Sequence, residues 1–307
     1  MGDAVRTLQR RVLEHIQTER LWAPGDDVLV AVSGGVDSTA LLHLLHRTQG
    51  AHKARLRVLT VDHGIRPESA DEVRVVSEMA ADLDLACTVV SLGLEKGPNL
   101  AERARDARRG ALVAAGADWI ATGHHEDDQA ETVLFHLLRG SGSRGLQGMQ
   151  SRAGCWVRPL LRESREVLQA WATAEDLQWC EDPSNPASQR GRIRELMPSL
   201  DALHGGAQRA LARSARLLAR EDELLSLMEA EAWNATASGD GLDRAGLAVL
   251  HPAIQLRLLK RLVAGCTVRA DVLESIVAGA LQRPGVLDLG RGNKLESDGE
   301  TLRVIGA

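Results

Sequence analysis

The chain has 307 residues, with 37 Lys and Arg against 42 Asp and Glu, and is 44% apolar but only 2% aromatic. That length exceeds what one hydrophobic core ordinarily fills, so two domains are expected, and no run is long enough to cross a bilayer as a helix. A formal net charge of −5 does not exclude a nucleic-acid partner, because a local basic face binds phosphates on an acidic protein.

Met1 to Gly25 reads as an amphipathic helix, with Val5, Leu8, Val12, Leu13 and Ile16 at helical spacing. It lacks the apolar centre of a signal peptide, so a cytoplasmic location is expected. Asp27 then opens the apolar run Val28 to Val32, the pattern of a buried parallel strand. The loop Ser33-Gly34-Gly35-Val36-Asp37-Ser38 follows, and Ala40, Leu41, Leu42, Leu44 and Leu45 begin a helix.

Leu56 to Val61 predicts a second strand, ending at Asp62-His63-Gly64. Ser69 to Glu72 has the form of a capping box, ahead of a helix that buries Val73, Val76, Ala80 and Leu83. A third strand is expected over Ala86 to Val90, then a helix capped by Asn99 that carries Arg103, Arg105, Arg108 and Arg109. Trp119 to Thr122 reads as a fourth strand, and the polar run from Gly123 to Thr132 enters a helix expected to bury Val133, Leu134, Leu137 and Leu138.

Further on, Cys180 to Pro186 is a polar, proline-punctuated loop, and Arg192 and Arg194 are expected to lie on a flexible loop ahead of Pro198. A long helix is expected from about Ala207 to Trp233. Helices near Pro252 to Val263 and Asp271 to Leu281 and strands at Val286 to Leu289 and Leu302 to Ile305 complete the chain. The expected class is α/β: a doubly wound, mostly parallel sheet over residues 1–205, a linker helix over 206–235, and a small α+β domain over 236–307. In such sheets ligands bind beyond the carboxyl ends of the strands, so the polar clusters should converge on one crevice.

Two glycines followed by a helix amino terminus suit phosphate oxygens. The loop lacks the G-K-[ST] ending of a Walker A loop and the G-x-G-x-x-G of dinucleotide folds, so neither motor-type hydrolysis nor hydride transfer is implied. Cys87, Cys155, Cys180 and Cys266 lie far apart with no C-x-x-C pair, which argues against zinc or an iron–sulfur cluster. With no tyrosine and a single phenylalanine, stacking on a base falls to Trp, His or Arg.

Ser33 to Ser38 resembles the pyrophosphate loop of the ATP pyrophosphatase superfamily. The ordered series Val61 to Ser69, Gly123 to Thr132, Leu138 to Gly142 with Gly145-Leu146 and Gly148-Met149, Arg158 to Leu161, and Glu181 to Asn185 followed by Arg192-Ile193-Arg194 resembles the tRNA(Ile)-lysidine synthetase family. The likeness runs from about Asp27 to Leu200. Gly191 departs from it where Asn is expected, and Gly110 where Tyr is expected.

The resemblance implies adenylation of the wobble cytidine of a tRNA(Ile) with a CAU anticodon, followed by attack of the ε-amine of free L-lysine. ATP would be held by Ser33, Gly34, Gly35, Val36, Asp37, Ser38, Val61, His63 and Gly123, and Asp37 would help to hold Mg²⁺. Asp128 and Glu131, three apart on one helical face, would bind the lysine ammonium and help to deprotonate it. Arg109, Arg190, Arg192 and Arg194 would meet the tRNA, with Arg109 also counted among the catalytic groups beside Asp37, Asp128 and Glu131. His63 either touches adenosine or closes a turn, and His124 and His125 are expected to contact nucleotide or substrate rather than metal. Arg209, Arg213, Arg216 and Arg220 form a stripe that is either an RNA contact or a solvated face. Oligomeric state stays open, a homodimer included. A tRNA thiolase, an amidating synthetase and a nucleotide-binding sensor are the rival readings.

Overall fold

The computed structural model describes residues 2–62, 64, 69–95, 97–180, 189–266, 268, 272–275, 284–290 and 292–306. They fall into two compact units, 1–218 and 219–307.

In the first unit, α1 (Gly2–Thr18) precedes β1 (Asp27–Ala31), α2 (Val36–His52), β2 (Arg55–Asp62), α3 (Ser69–Asp82), β3 (Cys87–Ser91) and α4 (Leu100–Ala114). Then come β4 (Trp119–Ala121), α5 (Glu126–Leu138), α6 (Ser143–Leu146), β5 (Arg152–Ala153), β6 (Trp156–Val157), α7 (Arg165–Ala174), α8 (Gln189–Leu203) and the start of α9 (Ala207–Thr236). The strand order is β3-β2-β1-β4-β6-β5, with every pairing parallel except that of β5 with β6. The chain thus builds outward from β1 through β2 to β3, then returns to the other side of β1 for β4. That reversal opens a crevice at the carboxyl ends of β1 and β4, because the crossovers there leave in opposite directions.

Val28, Leu29 and Val30 of β1 have no exposed surface, as a strand covered on both faces requires. On one face Leu41 and Leu45 of α2 pack with Leu8, Val12 and Ile16 of α1 and with Leu168 and Trp171 of α7. On the other, Leu29, Leu59 and Ile120 pack with Leu112 of α4. Each fully buried aliphatic side chain of this kind contributes about 1.5–3 kcal/mol relative to exposure, so the sheet centre is the least yielding part of the unit.

The second unit takes the rest of α9, then β7 (Ala237–Ser238), β8 (Gly241–Asp243), α10 (Arg244–Ala248), α11 (Pro252–Leu262), β9 (Gly285–Gly290), β10 (Asn293–Ser297) and β11 (Thr301–Ile305). Its sheet runs β7-β8-β11-β10-β9 and is antiparallel throughout. Leu242, Leu258, Leu295 and Leu302 fill its core. Arg257 of α11 reaches Asp222 at 2.7 Å and Glu229 at 2.8 Å, both on α9.

Several expectations are corrected. Arg192 and Arg194 lie on a helix, α8, rather than a loop, because Ile193, Met197 and Leu200 recur at helical spacing and pack against Ala130 and Leu134 of α5. Pro198 sits inside that helix instead of ending it. Ser69 is the first residue of α3, and its hydroxyl donates to the Asp62 carboxylate, so it does not serve as the expected cap. Asn99 is at the cap position of α4 but makes no side-chain cap bond. Leu137 and Leu138 are exposed at 52% and 68%, whereas Gln129, Glu131 and Thr132 are buried. The carboxyl-terminal sheet has five strands where two were expected; β7 and β8 are too short to show an alternating pattern. The helix expected over Asp271 to Leu281 falls mostly outside the described residues, as do Glu181 to Asn185 and His63.

His15 supplies a stability test. It is 3% exposed and accepts or donates a bond with Ser151 Oγ at 3.0 Å. Burial, then the charges of Arg162 and Arg216, lower its pKa to about 3. The folded chain therefore holds His15 neutral while the unfolded chain takes up a proton near pH ~6.5, so stability falls as pH drops through that value toward 3. Denaturant titrations of wild type and His15→Gln should differ in slope by about 1.4 kcal/mol per pH unit between pH ~6 and ~4, the wild type losing stability faster. Parallel curves would show that His15 does not titrate on unfolding.

Candidate active site

The loop after β1 is shaped by one residue that only glycine suits and one hydroxyl. Gly34 has φ +88°, a left-handed value that costs other residues strain, and its carbonyl accepts the Cys180 N–H at 2.8 Å. The Ser38 hydroxyl accepts the Ser33 N–H at 3.1 Å and donates to the Gly35 carbonyl at 2.9 Å. The loop is closed by its own side chain, and Asp37 stands in the first turn of α2.

Strand β4 brings the second wall. A Cβ on Gly123 would lie 3.0 Å from the backbone carbon and oxygen of Asp37, so the two loops touch backbone to backbone. His125 caps α5, with Nε2 3.5 Å from carboxylate oxygens of both Asp37 and Asp128 and Nδ1 3.4 Å from Asp127. Burial opposes a charge there, but the close carboxylates of Asp127, Asp37 and Asp128 outweigh it and raise the His125 pKa to about 10. It is a buried imidazolium that gathers three acids. His124 behaves in the opposite way. Burial lowers its pKa to about 4, Asp128 opposes the shift, and Arg158, Arg190 and His125 add to it; its Nδ1 lies 2.8 Å from Thr122 Oγ1.

Glu131, 4% exposed, receives a two-pronged bond from Arg194: Nε to Oε1 at 2.6 Å and Nη2 to Oε2 at 3.1 Å. The guanidinium fork matches the carboxylate geometrically, which makes this a strong pair. Arg109 lies over the Trp156 ring, 4.5 Å from its centroid. Arg216 approaches Glu126 at 3.5 Å, so one member of the predicted basic stripe faces a carboxylate, while Arg209 and Arg213 in the same unit are exposed.

The phosphate loop, Gly123, His124 and Arg109 border a cavity of about 530 Å³, whereas His125, Asp128, Glu131 and Arg194 are not among its lining residues. Of the residues expected at the nucleotide, Ser33, Gly35, Asp37, Ser38, Val61 and Gly123 line it; Val36 turns into the core. Arg109 and Arg190 line it too, whereas Arg192 is exposed on α8. Sequence reasoning missed Trp156 and Arg158 as cavity residues, and Glu163, which pairs with Arg11 of α1 at 2.6 Å. The Arg158-Pro159-Leu160-Leu161 motif was the available signal for Arg158.

A glycine loop closed on itself at the switch point of a doubly wound sheet defines a nucleotide-binding α/β domain, and residues 5–200 match the PP-loop domain model. A tRNA(Ile)-lysidine synthase of Thermobifida fusca is 38% identical over 288 residues, covering 89% of this chain and 86% of that one. The chain belongs to the tRNA(Ile)-lysidine synthase family. Another relative, from Alkalilimnicola ehrlichii, is 38% identical over 77% of this chain, which spans only 56% of that relative's length. The U34-tRNA thiolase NcsA from Methanococcus maripaludis shares the fold, with a TM-score of 0.59 at 18% identity over 71% of this chain and 80% of that one.

Two outcomes test this geometry. Gly123→Ala should cost about 1–3 kcal/mol of stability, because the new methyl meets backbone that cannot swing aside; an unchanged melting temperature would show that the two loops are not packed together. Arg194→Ala leaves the Glu131 carboxylate buried without its cation, a cost of about 1–3 kcal/mol once the half-exposure of the arginine is discounted. Glu131→Gln on that background should recover part of the loss. A double-mutant cycle with no coupling would remove the pair from the fold's energetics.

Proposed function

We propose that this chain is an ATP-dependent ligase that adenylates the wobble cytidine of a tRNA(Ile) with a CAU anticodon and joins free L-lysine to it, releasing AMP and pyrophosphate. The observation that carries the reading is the placement of His125, which bridges Asp37 at the phosphate loop and Asp128 on α5 at 3.5 Å each. A nucleotide-activating loop and an acid cluster suited to an amine therefore meet at one histidine. A nucleotide sensor would need the loop but not the acids.

In this reading Ser33 to Ser38 hold the outer phosphates of ATP, leaving the inner phosphorus open. The cytosine O2 attacks that phosphorus and pyrophosphate leaves, which turns a poor leaving group into a good one. The lysine ε-amine then attacks C2 and AMP departs. Lysine arrives as an ammonium with a pKa near ~10.4 and must first lose a proton. Asp128 and Glu131 are the carboxylates for that task, and Arg194 beside Glu131 supplies the cation that an amino-acid carboxylate needs. Arg109, Arg190, Arg192 and Arg194 remain the residues assigned to RNA.

Mg²⁺ fits the donor set. Asp37 Oδ1 is buried with no hydrogen-bond partner among the described residues, and Mg²⁺ takes few protein ligands and completes its shell with phosphate and water. When bound, the ion would neutralise phosphate charge during adenylation. The thiolase reading is the weaker one because Cys87, Cys155 and Cys180 sit on separate segments.

Incubation with radiolabelled lysine, ATP and tRNA(Ile) transcript should put acid-stable label into RNA, with AMP and pyrophosphate released in step. Glu131→Gln should raise the lysine KM about 10–100-fold, the loss of one charge-assisted bond, with ATP affinity unchanged. Wild-type enzyme that releases AMP without labelling RNA would sink the proposal.

A further inference from the structure

The cavity is charged unevenly. Arg105, Arg108, Arg109, Arg158 and Arg190 line it, against Asp37 and Glu72. Its two ends also differ. Leu59 and Val61 of β2, Leu92 beyond β3, and Ala101 and Ala104 of α4 make an apolar end of the kind a nucleobase occupies. A nucleotide with its phosphates on the β1 loop and its base at the apolar end extends toward β3. Trp156 and Arg158 stand on the opposite side, with β6 paired to the far edge of β4, and such a nucleotide leaves that end empty.

Arg158 is built for an occupant there. Its Nη1 is anchored by the Gln150 carbonyl at 2.7 Å, and its backbone N–H by the Ser151 carbonyl at 2.9 Å. Its Nε is buried without a hydrogen-bond partner among the described residues. Burial and then the charge of Arg109 lower its pKa from the usual arginine value. Arg109 itself is supported by the Trp156 ring, and neither arginine has an ion-pair partner among the described residues. Two like charges held near each other with a donor unused are stable when an oxyanion joins them.

We propose that Arg158, together with Arg109, seats a backbone phosphodiester of the RNA strand beside the nucleotide that reacts. This rests on the proposed function and assigns a contact to Arg158, a residue outside the RNA set named above. The shared chemistry is a phosphate oxyanion; the alternative source is ATP itself.

The test uses the full chain, the tRNA(Ile) transcript and ATP. Arg158→Gln should weaken RNA binding about tenfold and reduce the slope of log affinity against log salt by about 0.7–0.9, with ATP affinity within about twofold of wild type. In an anticodon stem-loop carrying single methylphosphonate linkages, one linkage next to the reactive cytidine should weaken binding to wild type but not to Arg158→Gln. If the variant loses its cooperative melt, Arg158→Lys is read in the same linkage series, where retained charge with lost geometry should keep part of the penalty. Lost ATP affinity with an unchanged salt slope would give Arg158 to the nucleotide and overturn the assignment. Equal linkage penalties in wild type and variant would do the same while leaving the ligase reading intact. Wild-type enzyme that binds no RNA would overturn both.

Discussion

A buried imidazolium organises the amino-terminal unit. His125 is 4% exposed and lies within 3.5 Å of Asp37, Asp127 and Asp128. Three carboxylates this close would repel one another, and each would be costly to remove from water alone. The cation between them makes the cluster tenable, and it ties the first turn of α2 to the first turn of α5. Because those helices follow β1 and β4, the same contact fixes the two edges of the crevice. The backbone contact between Gly123 and Asp37 leaves no room for slippage.

Charge is then sorted across the cavity. Arginines from α4, from α8 and from just beyond β6 line it, against Asp37 and Glu72, while the α5 acids gather on His125 beside it. The arginine excess suits an anionic ligand. The Glu131–Arg194 pair joins α5 to α8. The carboxylate is buried and the arginine half exposed, so the acid depends on the arginine more than the reverse.

The fold of the first unit was legible because its signals are local. Val28 to Val30 are apolar without interruption, Ser33 to Ser38 carries the paired glycines of a strand-to-helix turn, and Ile16 and Val12 repeat at helical spacing. Where the reading failed, a distant partner had overridden a local pattern. The run around Arg192 looks like loop because of Pro198, yet Ile193 and Met197 gain a surface on α5. Leu137 and Leu138 look buried, but the helix turns its polar face of Gln129, Glu131 and Thr132 inward, since Gln129 bonds the carbonyls of Gln147 and Met149 at 3.1 and 2.9 Å.

By itself, the sequence determined the doubly wound class, the phosphate loop and the acids of α5, since each is written in consecutive residues whose spacing sets the local backbone. Only the tertiary structure decided that His125 is the cation among those acids, that Arg194 belongs to Glu131, and that Arg158 shares a wall with Arg109. The long-range members of those relations, Asp37 with His125, Glu131 with Arg194 and Arg109 with Arg158, lie 88, 63 and 49 positions apart in the chain and depend on the order β3-β2-β1-β4-β6. Spacing along one strand or helix carries no information about which strand lies beside it. Burial then shifts the protonation of such groups only after the chain has closed around them.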